Sequence, residues 1–545
     1  MITSIKYTFP SILKNSATKF TSRPAFAFVG EKPITYGEAY KHVLATIAML
    51  EKLDVVPGDK VGLLSSNMPN WGITYFAITS MGAVVVPMLP DFSSLEVSNV
   101  IDHSEMKTLF ITKTLLKKVG DNSSNYINNI IDIENFSLIK GDNANWNADD
   151  TSSINHSVNE DDLASIIYTS GTTGKSKGVM LSHRNICFTA DKSRTVQPVG
   201  DQDRFLSVLP LSHTYENTLG LILPMLGGAC IYYLKKAPTP AVLLPALKLV
   251  RPTIMLTVPL IIEKIYRSKV LPAFNDKAVT RLLYKVPILR RKFNRLAGKK
   301  LIRTFGGELK FFGIGGAKLN KEVEKFLIES KFPYAIGYGL TETAPLLAGV
   351  APFETRLQST GPALEGVTLK INNPAKYTGE GEIFAKGPNV MLGYYKEPAL
   401  TKEVITEDGW FKTGDLGLFD DNGFLYIRGR SKNVIIGASG ENIFPEDIES
   451  VINNFKHVAE SLVIQQKGKL VALVHFNREE IEQQYHHMKD EVSHFVDQKC
   501  DELKSELRDY VNEKVNKFSK IQLVETMQEE FQKTATKKIK RFIYA

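Results

Sequence analysis

The chain has 545 residues, is 43% hydrophobic and carries a formal net charge of +8. This length exceeds what one ordinary hydrophobic core serves, so we expect more than one domain. The charge is only mildly basic and is diffuse, which argues against a nucleic-acid partner but allows an acidic substrate or an anionic membrane surface. Cys187, Cys230 and Cys500 show neither metal-site spacing nor a disulfide framework, which favours a reducing, cytoplasmic location.

Two stretches could have indicated membrane targeting, and neither does. Residues 1–20 lack a long apolar core and a small-residue cleavage site, so we predict no signal peptide. Residues 219–234 are too short to span a bilayer and are interrupted by Pro224, Gly227 and Gly228,. They are predicted to form a buried helix, a turn and a strand. We expect a soluble protein, or one that contacts the inner face of the membrane only peripherally.

The order of the predicted elements indicates an α/β fold. Residues 33–54 have helical apolar spacing, and strand and helix patterns then alternate through about residue 350, which predicts mostly parallel sheets flanked by helices. Residues 120–160 are rich in Asn, Asp and Ser and are predicted as a polar excursion. Residues 360–430 contain short, turn-bounded strands, which predicts a β-rich subdomain. The alternation resumes after about residue 430.

A charged stretch near the C-terminus, residues 481–521, has apolar residues at helical spacing. These residues are Ile481, Tyr485, Met488, Val492, Val496, Cys500, Leu503 and Leu507. The pattern fits a partner-binding helix, but a surface helix packed on its own domain is the favoured interpretation. His486, His487 and His494 lie in the same stretch and are predicted to be surface residues, because no convergent metal ligands accompany them.

The stretch YTSGTTGKSKG, Tyr168 to Gly178, has the composition of a phosphate-binding loop. It is not a Walker loop, because Thr169 stands where that motif has its first glycine. A predicted strand leads into glycines that let backbone amides turn toward an anion, and hydroxyls and lysines add further donors. We therefore favour phosphate binding over an ordinary polar loop. The candidate residues are Thr169, Ser170, Gly171, Thr172, Thr173, Gly174, Lys175 and Lys177.

A second stretch, GYGLTETAP from Gly337 to Pro345, follows another predicted strand. Tyr338 offers a flat aromatic face, and Thr341 and Glu342 offer hard oxygen ligands of the kind that Mg²⁺ prefers. By itself the stretch also fits a capped turn at the start of a helix. Its interpretation therefore depends on the other motifs.

Taken together, the motifs resemble the adenylate-forming superfamily of acyl-CoA synthetases, nonribosomal adenylation domains and luciferases. YTSGTTGKSKGVMLSHRN is highly specific for that superfamily, and YGLTET, FKTGDLG at 411–417 and GRSKNVIIGASGENIFPEDIE at 429–449 follow in the expected order. The tail KTATKKIKRF matches more loosely. LPLSHTYENTLG at 209–220 and the form of the tail most resemble the long-chain fatty acyl-CoA synthetase branch.

The resemblance covers nearly the whole chain and implies its domain organisation and reaction. Residues 1–429 would form the large domain that binds ATP and the acid, and residues 430–545 a small mobile α+β domain, with a hinge near Lys432. A carboxylate would attack the α-phosphate of ATP to give an acyl-adenylate and diphosphate. Coenzyme A would then displace AMP and form the acyl-CoA.

The resemblance also assigns roles to individual residues. The loop from Thr169 to Lys177 would hold the β- and γ-phosphates, and Glu342 would bind Mg²⁺ with Thr169 or Thr341 nearby. Tyr338 would stack on adenine, and Asp415, helped by Arg430, would bind the ribose. The implied adenosine-binding residues are Gly315, Gly316, Ala317, Tyr338, Gly339, Asp415 and Arg430.

Four residues carry the implied catalytic roles: Lys538, Thr172, Glu342 and His213. Lys538 would bridge the substrate carboxylate and the α-phosphate, and His213 would gate the acyl and thiol pockets. The small domain would rotate at Lys432 and present the loop at Gly440 to the pantetheine channel in the second step.

The chain departs from the family pattern at three positions, none of which removes a group with an assigned role. Ser176 replaces a common proline, and Gly429 replaces an aspartate often found before Arg430. Lys537 occupies a position where many relatives have glycine, so the choice of Lys538 over Lys537 is less secure.

Several alternatives remain open at this point. The acyl group could pass to a carrier-protein thiol instead of coenzyme A, or the chain could be a catalytically silent nucleotide-binding scaffold. The basic, aliphatic segment 264–300 fits a peripheral membrane surface and a solvated helical face equally well. Acyl chain length and oligomeric state are not indicated by the sequence.

Overall fold

A computed structural model describes most of the chain: residues 6–120, 126–142, 144–150, 154, 156–170, 176–275, 278–437, 441–485, 492–534 and 538–544. It has a large N-terminal α/β domain with a β-rich part and a smaller C-terminal α+β domain, as predicted. Within these ranges, no helix combines the length and the apolar content that crossing a membrane requires.

The first sheet of the large domain has seven strands, and all its neighbouring pairs are parallel except the last. Parallel strands buried on both faces explain its apolar runs. In spatial order the strands are Tyr334–Ile336, Phe311–Ile314, Ile254–Thr257, Arg204–Ser207, Cys230–Tyr233, Pro24–Phe28 and Ile34–Thr35.

The second sheet has eight strands and is mixed, because antiparallel pairs lie at both of its edges. One of its hairpins carries the predicted phosphate loop. In spatial order the strands are Gly393–Tyr394, Ser176–Ser182, Leu163–Ser170, Val84–Met88, Lys60–Leu64, Thr108–Ile111, Asn129–Asp132 and Ser137–Lys140. The last two strands correct the prediction for residues 120–160, whose polar composition hid an edge hairpin that buries Ile130 and Ile131.

The predicted β-rich part is a four-stranded antiparallel sheet, and the C-terminal domain is built on a three-stranded sheet. The former has strands Thr368–Asn372, Gly381–Lys386, Phe411–Phe419 and Leu425–Arg430; the latter has Val458–Gln466, Lys469–Phe476 and Leu523–Thr526. The described residues also form two short strand pairs: Tyr338–Gly339 with Leu346–Ala348, and Ile435–Ile436 with Asn442–Ile443.

Helices cover the sheets, and their ends follow local capping rules. The first long one starts at a capping box, in which the Thr35 hydroxyl accepts from the Glu38 N–H and the Glu38 carboxylate accepts from the Thr35 N–H,. The α-helices are Phe9–Lys19, Tyr36–Lys52, Pro69–Ser80, Ser94–Ser104, His183–Ser193, Thr214–Glu216, Leu223–Gly227, Pro240–Val250, Pro259–Ile265, Leu271–Asn275, Ala278–Tyr284, Pro287–Thr304, Lys321–Ser330, Pro398–Val404, Pro445–Ile452, Arg478–Tyr485 and Val492–Lys514. The π-helices are Asn217–Ile222 and Tyr266–Val270, and the 3₁₀ turns are Lys113–Lys118, Thr341–Thr343, Ser431–Asn433 and Arg541–Ile543.

The charged C-terminal stretch packs on its own domain, the alternative that the sequence favoured. Ile481, Cys500, Leu503 and Leu507 are buried in the core of the C-terminal domain. His486 and His487, like Met488, lie outside the described residues.

A buried carboxyl on the helix after the LPLSH stretch makes stability depend on pH. The Glu216 Oε1 accepts from the Ser207 hydroxyl at 2.6 Å, whereas Oε2 has no hydrogen-bond partner among the described residues. Burial raises the Glu216 pKa to about 8. Because the unfolded chain ionises first, near pH 4.5, the free energy of unfolding should fall as pH rises from there to about 8,.

Glu216→Gln should flatten this fall, because the amide keeps an acceptor for Ser207 and cannot ionise. We expect the free energy of unfolding of the variant to change by about 5 kcal/mol less than that of the wild type across that window. Chemical denaturation at matched pH values measures the difference, and Glu403→Gln, at an exposed position, is the control. Equal pH dependence in the wild type and Glu216→Gln would contradict the prediction.

Candidate active site

The predicted phosphate loop lies at the tip of an antiparallel hairpin in the second sheet. Thr169 pairs with Lys177 and Ser170 pairs with Ser176, so both ends of the loop are fixed by the ladder. Residues 171–175, which include Gly171, Thr172, Thr173, Gly174 and Lys175, lie outside the described residues. The Lys177 ammonium lies 5.1 Å from the centre of the Tyr394 ring, which ties the hairpin to the next strand of the sheet.

The YGLTET stretch forms a tight turn that presents Glu342. A Cβ at Gly339 would lie 1.7 Å from the Pro345 carbonyl oxygen, so this close approach requires glycine,. Thr341 and Glu342 follow in a short 3₁₀ turn. The Glu342 Oε1 accepts from the Tyr394 hydroxyl at 2.9 Å. Tyr394 therefore connects the hairpin that carries the predicted phosphate loop to Glu342, the predicted metal-binding carboxylate.

Asp415 is a nearly buried carboxylate whose two oxygens have different partners. The Arg430 Nε lies 2.9 Å from Oδ1, and the Tyr338 hydroxyl donates to Oδ2 at 2.8 Å. Burial raises the Asp415 pKa, and the Arg430 charge and the Tyr338 hydrogen bond oppose this rise. The structure thus brings together three of the residues predicted to bind adenosine, with the carboxylate held in a fixed orientation.

Gly315, Gly316 and Ala317 follow the strand Phe311–Ile314 and form the segment predicted as the other wall of the adenine site. Gly316 has a φ of +85°, a backbone conformation that favours glycine,. A Cβ on Gly315 would lie 3.2 Å from the Tyr215 ring. The segment is therefore packed against the helix that follows His213.

His213 caps this short helix and faces the C-terminal lysine. Its Nδ1 accepts the Tyr215 backbone N–H at 3.3 Å, which leaves Nε2–H as the donor of the neutral ring,. Burial, assisted by the positive charge of Lys538, lowers the His213 pKa to about 4. The imidazole is thus neutral at physiological pH.

Lys538 is presented by a loop that is anchored on the C-terminal domain. The Lys533 ammonium lies 2.6 Å from Glu460, and Arg541 pairs with the buried Glu449. The loop is closed by a hydrogen bond from the Thr534 N–H to the Lys538 carbonyl at 2.8 Å. Lys537, the competing candidate, lies outside the described residues.

The Lys538 ammonium interacts electrostatically with charged residues of the predicted site. The Lys538 side chain is accessible to solvent, but many protein atoms lie around its ammonium group beyond direct contact. This enclosure and the charge of Arg430 lower its pKa, while Asp415 and Glu342 act in the opposite direction. A lysine whose charge interacts with Asp415, Glu342 and His213 suits a role at charge that develops on substrate oxygens,.

Two polar contacts connect the large domain to the C-terminal domain. Lys318 pairs with Asp447, and the Asn320 amide donates to the Ser450 carbonyl at 3.1 Å. Lys432, the predicted hinge, is exposed in the turn Ser431–Asn433. Its hinge role, and the role of Gly440, which lies outside the described residues, stay predictions.

Sequence reasoning missed two tyrosines of the site. Tyr394 donates a hydrogen bond to Glu342 and makes a cation–π contact with Lys177. Tyr215 packs on Gly315. Tyr215 lies within the quoted LPLSHTYENTLG stretch, and Tyr394 within NVMLGYY. For Tyr394, an aromatic residue next to glycine in a short strand was the available signal, whereas Tyr215 had no such signal, and nothing local specified the partner of either residue.

Comparison with known proteins identifies the family. The model of the AMP-binding enzyme family matches residues 13–395. A long-chain-fatty-acid–CoA ligase of Drosophila melanogaster, heimdall, is 30% identical over 82% of this chain and 72% of its own length. A 2-succinylbenzoate–CoA ligase of Bacillus licheniformis is 31% identical over 83% of this chain and 85% of its own. Among solved structures, O-succinylbenzoate coenzyme A synthetase from Bacillus subtilis in complex with ATP and magnesium ion has a TM-score of 0.76, with 22% identity, and the match covers 97% of this chain and 98% of that one.

The chain therefore belongs to the AMP-binding enzyme family, as the motifs predicted. Its predicted class, an AMP-forming acid–CoA ligase, is confirmed with it. The acid is not decided by these relatives, because two of similar identity are named for different acids.

Proposed function

We propose that the protein activates a fatty acid with ATP and Mg²⁺ through an acyl-adenylate and transfers the acyl group to coenzyme A. The observation that carries the fatty-acid part is an apolar cavity beside the site. It is lined by Leu219, Leu223, Leu256, Phe311 and Ala335, among others, and none of the described residues that line it is Lys, Arg, Asp or Glu. A cavity of this character favours an aliphatic or aryl tail over a charged one.

The position of the cavity supports its use by the acid, because two of its lining residues, Tyr215 and Gly337, adjoin the predicted adenosine site. Tyr215 packs on Gly315, and Gly337 directly precedes Tyr338 in the chain. Small residues create the space, because Gly313 and Ala335 are register partners on neighbouring strands and both face it. The volume of about 40 Å³ has room for a few water-sized groups,. A long chain would therefore have to displace side chains such as Leu219.

The residues present fit Mg·ATP as the nucleotide substrate. The described residues contain no group of three or more His, Cys, Asp or Glu that could hold a resident metal. One carboxylate, Glu342, with the Thr341 hydroxyl beside it, suits an ion that arrives already bound to phosphates and keeps several waters. Backbone amides and hydroxyls of the loop after Thr169 would hold the terminal phosphates.

In the first step, a carboxylate oxygen of the acid attacks the α-phosphorus of ATP. The bond from that phosphorus to the bridging oxygen breaks, and diphosphate leaves with the electron pair. Positioning and charge neutralisation provide most of the catalysis for such a displacement. Lys538 would neutralise charge on the reacting oxygens, and the fixed Asp415 would orient the ribose.

In the second step, the sulfur of coenzyme A attacks the acyl carbon and AMP leaves. We propose that residues 430–545 rotate as a unit near Lys432 for this step. The contacts Lys318–Asp447 and Asn320–Ser450 cross the proposed boundary, so rotation would break them. A carrier-protein thiol would undergo the same chemistry, and the acceptor has to be determined by assay.

The test is diphosphate exchange into ATP, without coenzyme A, across acids from acetate to oleate with amino, aryl and 2-succinylbenzoic acids included. We expect medium- or long-chain fatty acids to stimulate exchange most strongly. Omitting Mg²⁺ should abolish it, and adding coenzyme A should convert the adenylate to the thioester. Best exchange with an aryl or amino acid would overturn the fatty-acid proposal, and no exchange with any acid would support a silent scaffold.

Ala335→Leu tests whether the cavity holds the acyl chain. The added carbons would occupy the space beside Gly313, so the preferred chain length should shorten while exchange with the shortest accepted acid is retained. That retained activity is the internal control for folding. An unchanged chain-length profile would place the acyl chain elsewhere.

A further inference from the structure

The surface formed by Ala278–Tyr284 and Pro287–Thr304 combines clustered positive charge with exposed aliphatic side chains. Residues 278–304 contain nine Lys or Arg and no Asp or Glu. Arg290 pairs with Glu329 at 2.8 Å. Lys292, Lys299 and Arg303 are exposed and form no ion pair within the described part of the chain. We call the exposed residues of these two helices the basic-aliphatic patch.

The helix Pro287–Thr304 has distinct inner and outer faces. Asn294 and Leu301 are buried against the domain. Opposite them, Lys292, Leu296, Lys299 and Arg303 follow one another at spacings of four, three and four residues, which places them on one outward face. Leu296 is 65% exposed at the centre of these cations.

The rest of the patch adds aliphatic side chains that the domain does not cover. Val279, Leu282 and Ile288 are 69%, 67% and 69% exposed, and Val286, in the turn between the helices, is 45% exposed. A solvated helical face explains the cations but not this run of exposed aliphatic residues. A concentration of exposed aliphatic side chains within two consecutive helices is typical of an interaction surface.

The patch lies across the first sheet from the acyl cavity. The helix Pro287–Thr304 packs onto Phe312 through Leu301 and through Phe305, which directly follows the helix. The residues on either side of Phe312, Phe311 and Gly313, face the cavity. Side chains alternate between the two faces of a strand, so the patch and the cavity are on opposite sides of the sheet. The patch is therefore a surface for docking and not the entrance to the cavity.

We propose that the basic-aliphatic patch docks the enzyme on the surface of a bilayer that contains anionic phospholipids. The lysines and arginines bind the lipid phosphates, and Leu282, Ile288 and Leu296 enter the boundary between headgroups and acyl chains. A nucleic acid would satisfy the cations but would leave these aliphatic side chains uncovered. This partner is independent of which acid the enzyme activates.

The experiment is co-sedimentation of the full chain with vesicles made of phosphatidylcholine alone or of equal parts phosphatidylcholine and phosphatidylglycerol. We expect binding to the mixed vesicles that weakens as salt is raised. The variant with Lys292→Glu, Lys299→Glu and Arg303→Glu should bind them on the order of a hundredfold more weakly, because each cation near an anionic surface contributes about fivefold. Exchange activity with a water-soluble acid should be unchanged.

A matched control carries the same change in net charge elsewhere. Lys14→Glu, Lys41→Glu and Lys117→Glu alter exposed lysines on other elements, and this variant should retain most of the binding. Equal loss of vesicle binding in both triple variants would mean that binding depends only on the net charge of the protein, and would overturn the proposal.

The aliphatic part of the patch is tested separately. Leu282→Gln, Ile288→Gln and Leu296→Gln should together weaken binding at least about tenfold, including at high salt, because apolar insertion is not screened. Wild-type chain that binds single- or double-stranded polynucleotide but not the mixed vesicles would identify the patch as a nucleic-acid surface. That result, or full binding by the glutamine variant, would overturn the proposal.

Discussion

Lys538→Ala is expected to slow acyl-adenylate formation by about 10²–10³-fold, the cost of removing one positioned electrostatic group from a transition state. Its loop is anchored through Lys533 and Arg541 rather than through Lys538 itself, so the fold should survive. Thioester formation from supplied acyl-adenylate should be much less affected. The two half-reactions are measured separately, by diphosphate exchange and by acyl-CoA formation.

Two neighbouring lysines provide controls for this prediction. Lys540→Ala removes the same charge from the same basic tail and should leave exchange within a few-fold of the wild type. Lys537→Ala separates the two sequence-based candidates. If Lys537→Ala, and not Lys538→Ala, abolishes exchange, the assignment is wrong by one residue; equal loss in both half-reactions would indicate a structural role for Lys538.

Glu342→Ala should raise the Mg²⁺ concentration needed for half-maximal exchange and lower the maximal rate by at least about tenfold, because it removes the carboxylate proposed to meet the metal. The measurement is diphosphate exchange across a magnesium titration at fixed ATP. Glu342→Gln keeps the size and the acceptor for Tyr394 but loses the charge, and should share most of the defect. A titration curve superimposable on that of the wild type would exclude the metal role.

Tyr394→Phe tests the support of that carboxylate. Loss of the 2.9 Å hydrogen bond should give a smaller shift in the same direction, at most about tenfold, as is typical of groups that orient a metal ligand. Tyr395→Phe, which removes the adjacent hydroxyl, should have no such effect. Equal defects in both variants would mean that the strand, and not the hydrogen bond, is responsible.

The sequence by itself determined the parts of this protein that depend on local patterns. The helix Tyr36–Lys52 follows from its apolar period and the Thr35–Glu38 capping box, and the strand Leu163–Ser170 from its apolar run before glycine. The ordered motifs were sufficient for the family, because each is a short segment whose backbone conformation and chemistry are specified by its own residues. Lys538 was also predicted in this way, as one lysine within a basic tail, and its catalytic role stays a prediction.

Only the tertiary structure decided which of these segments meet. Lys538, near the C-terminal end of the sequence, interacts electrostatically with Asp415 and Glu342. Tyr394 connects Glu342 to the hairpin that carries the predicted phosphate loop. The edge hairpin within residues 120–160 escaped prediction because its strands bury few residues and depend on pairing with the sheet. The apolar cavity arises where Gly313 and Ala335 become neighbours on parallel strands. Such juxtapositions result from packing between residues distant in sequence, which no local period or motif encodes.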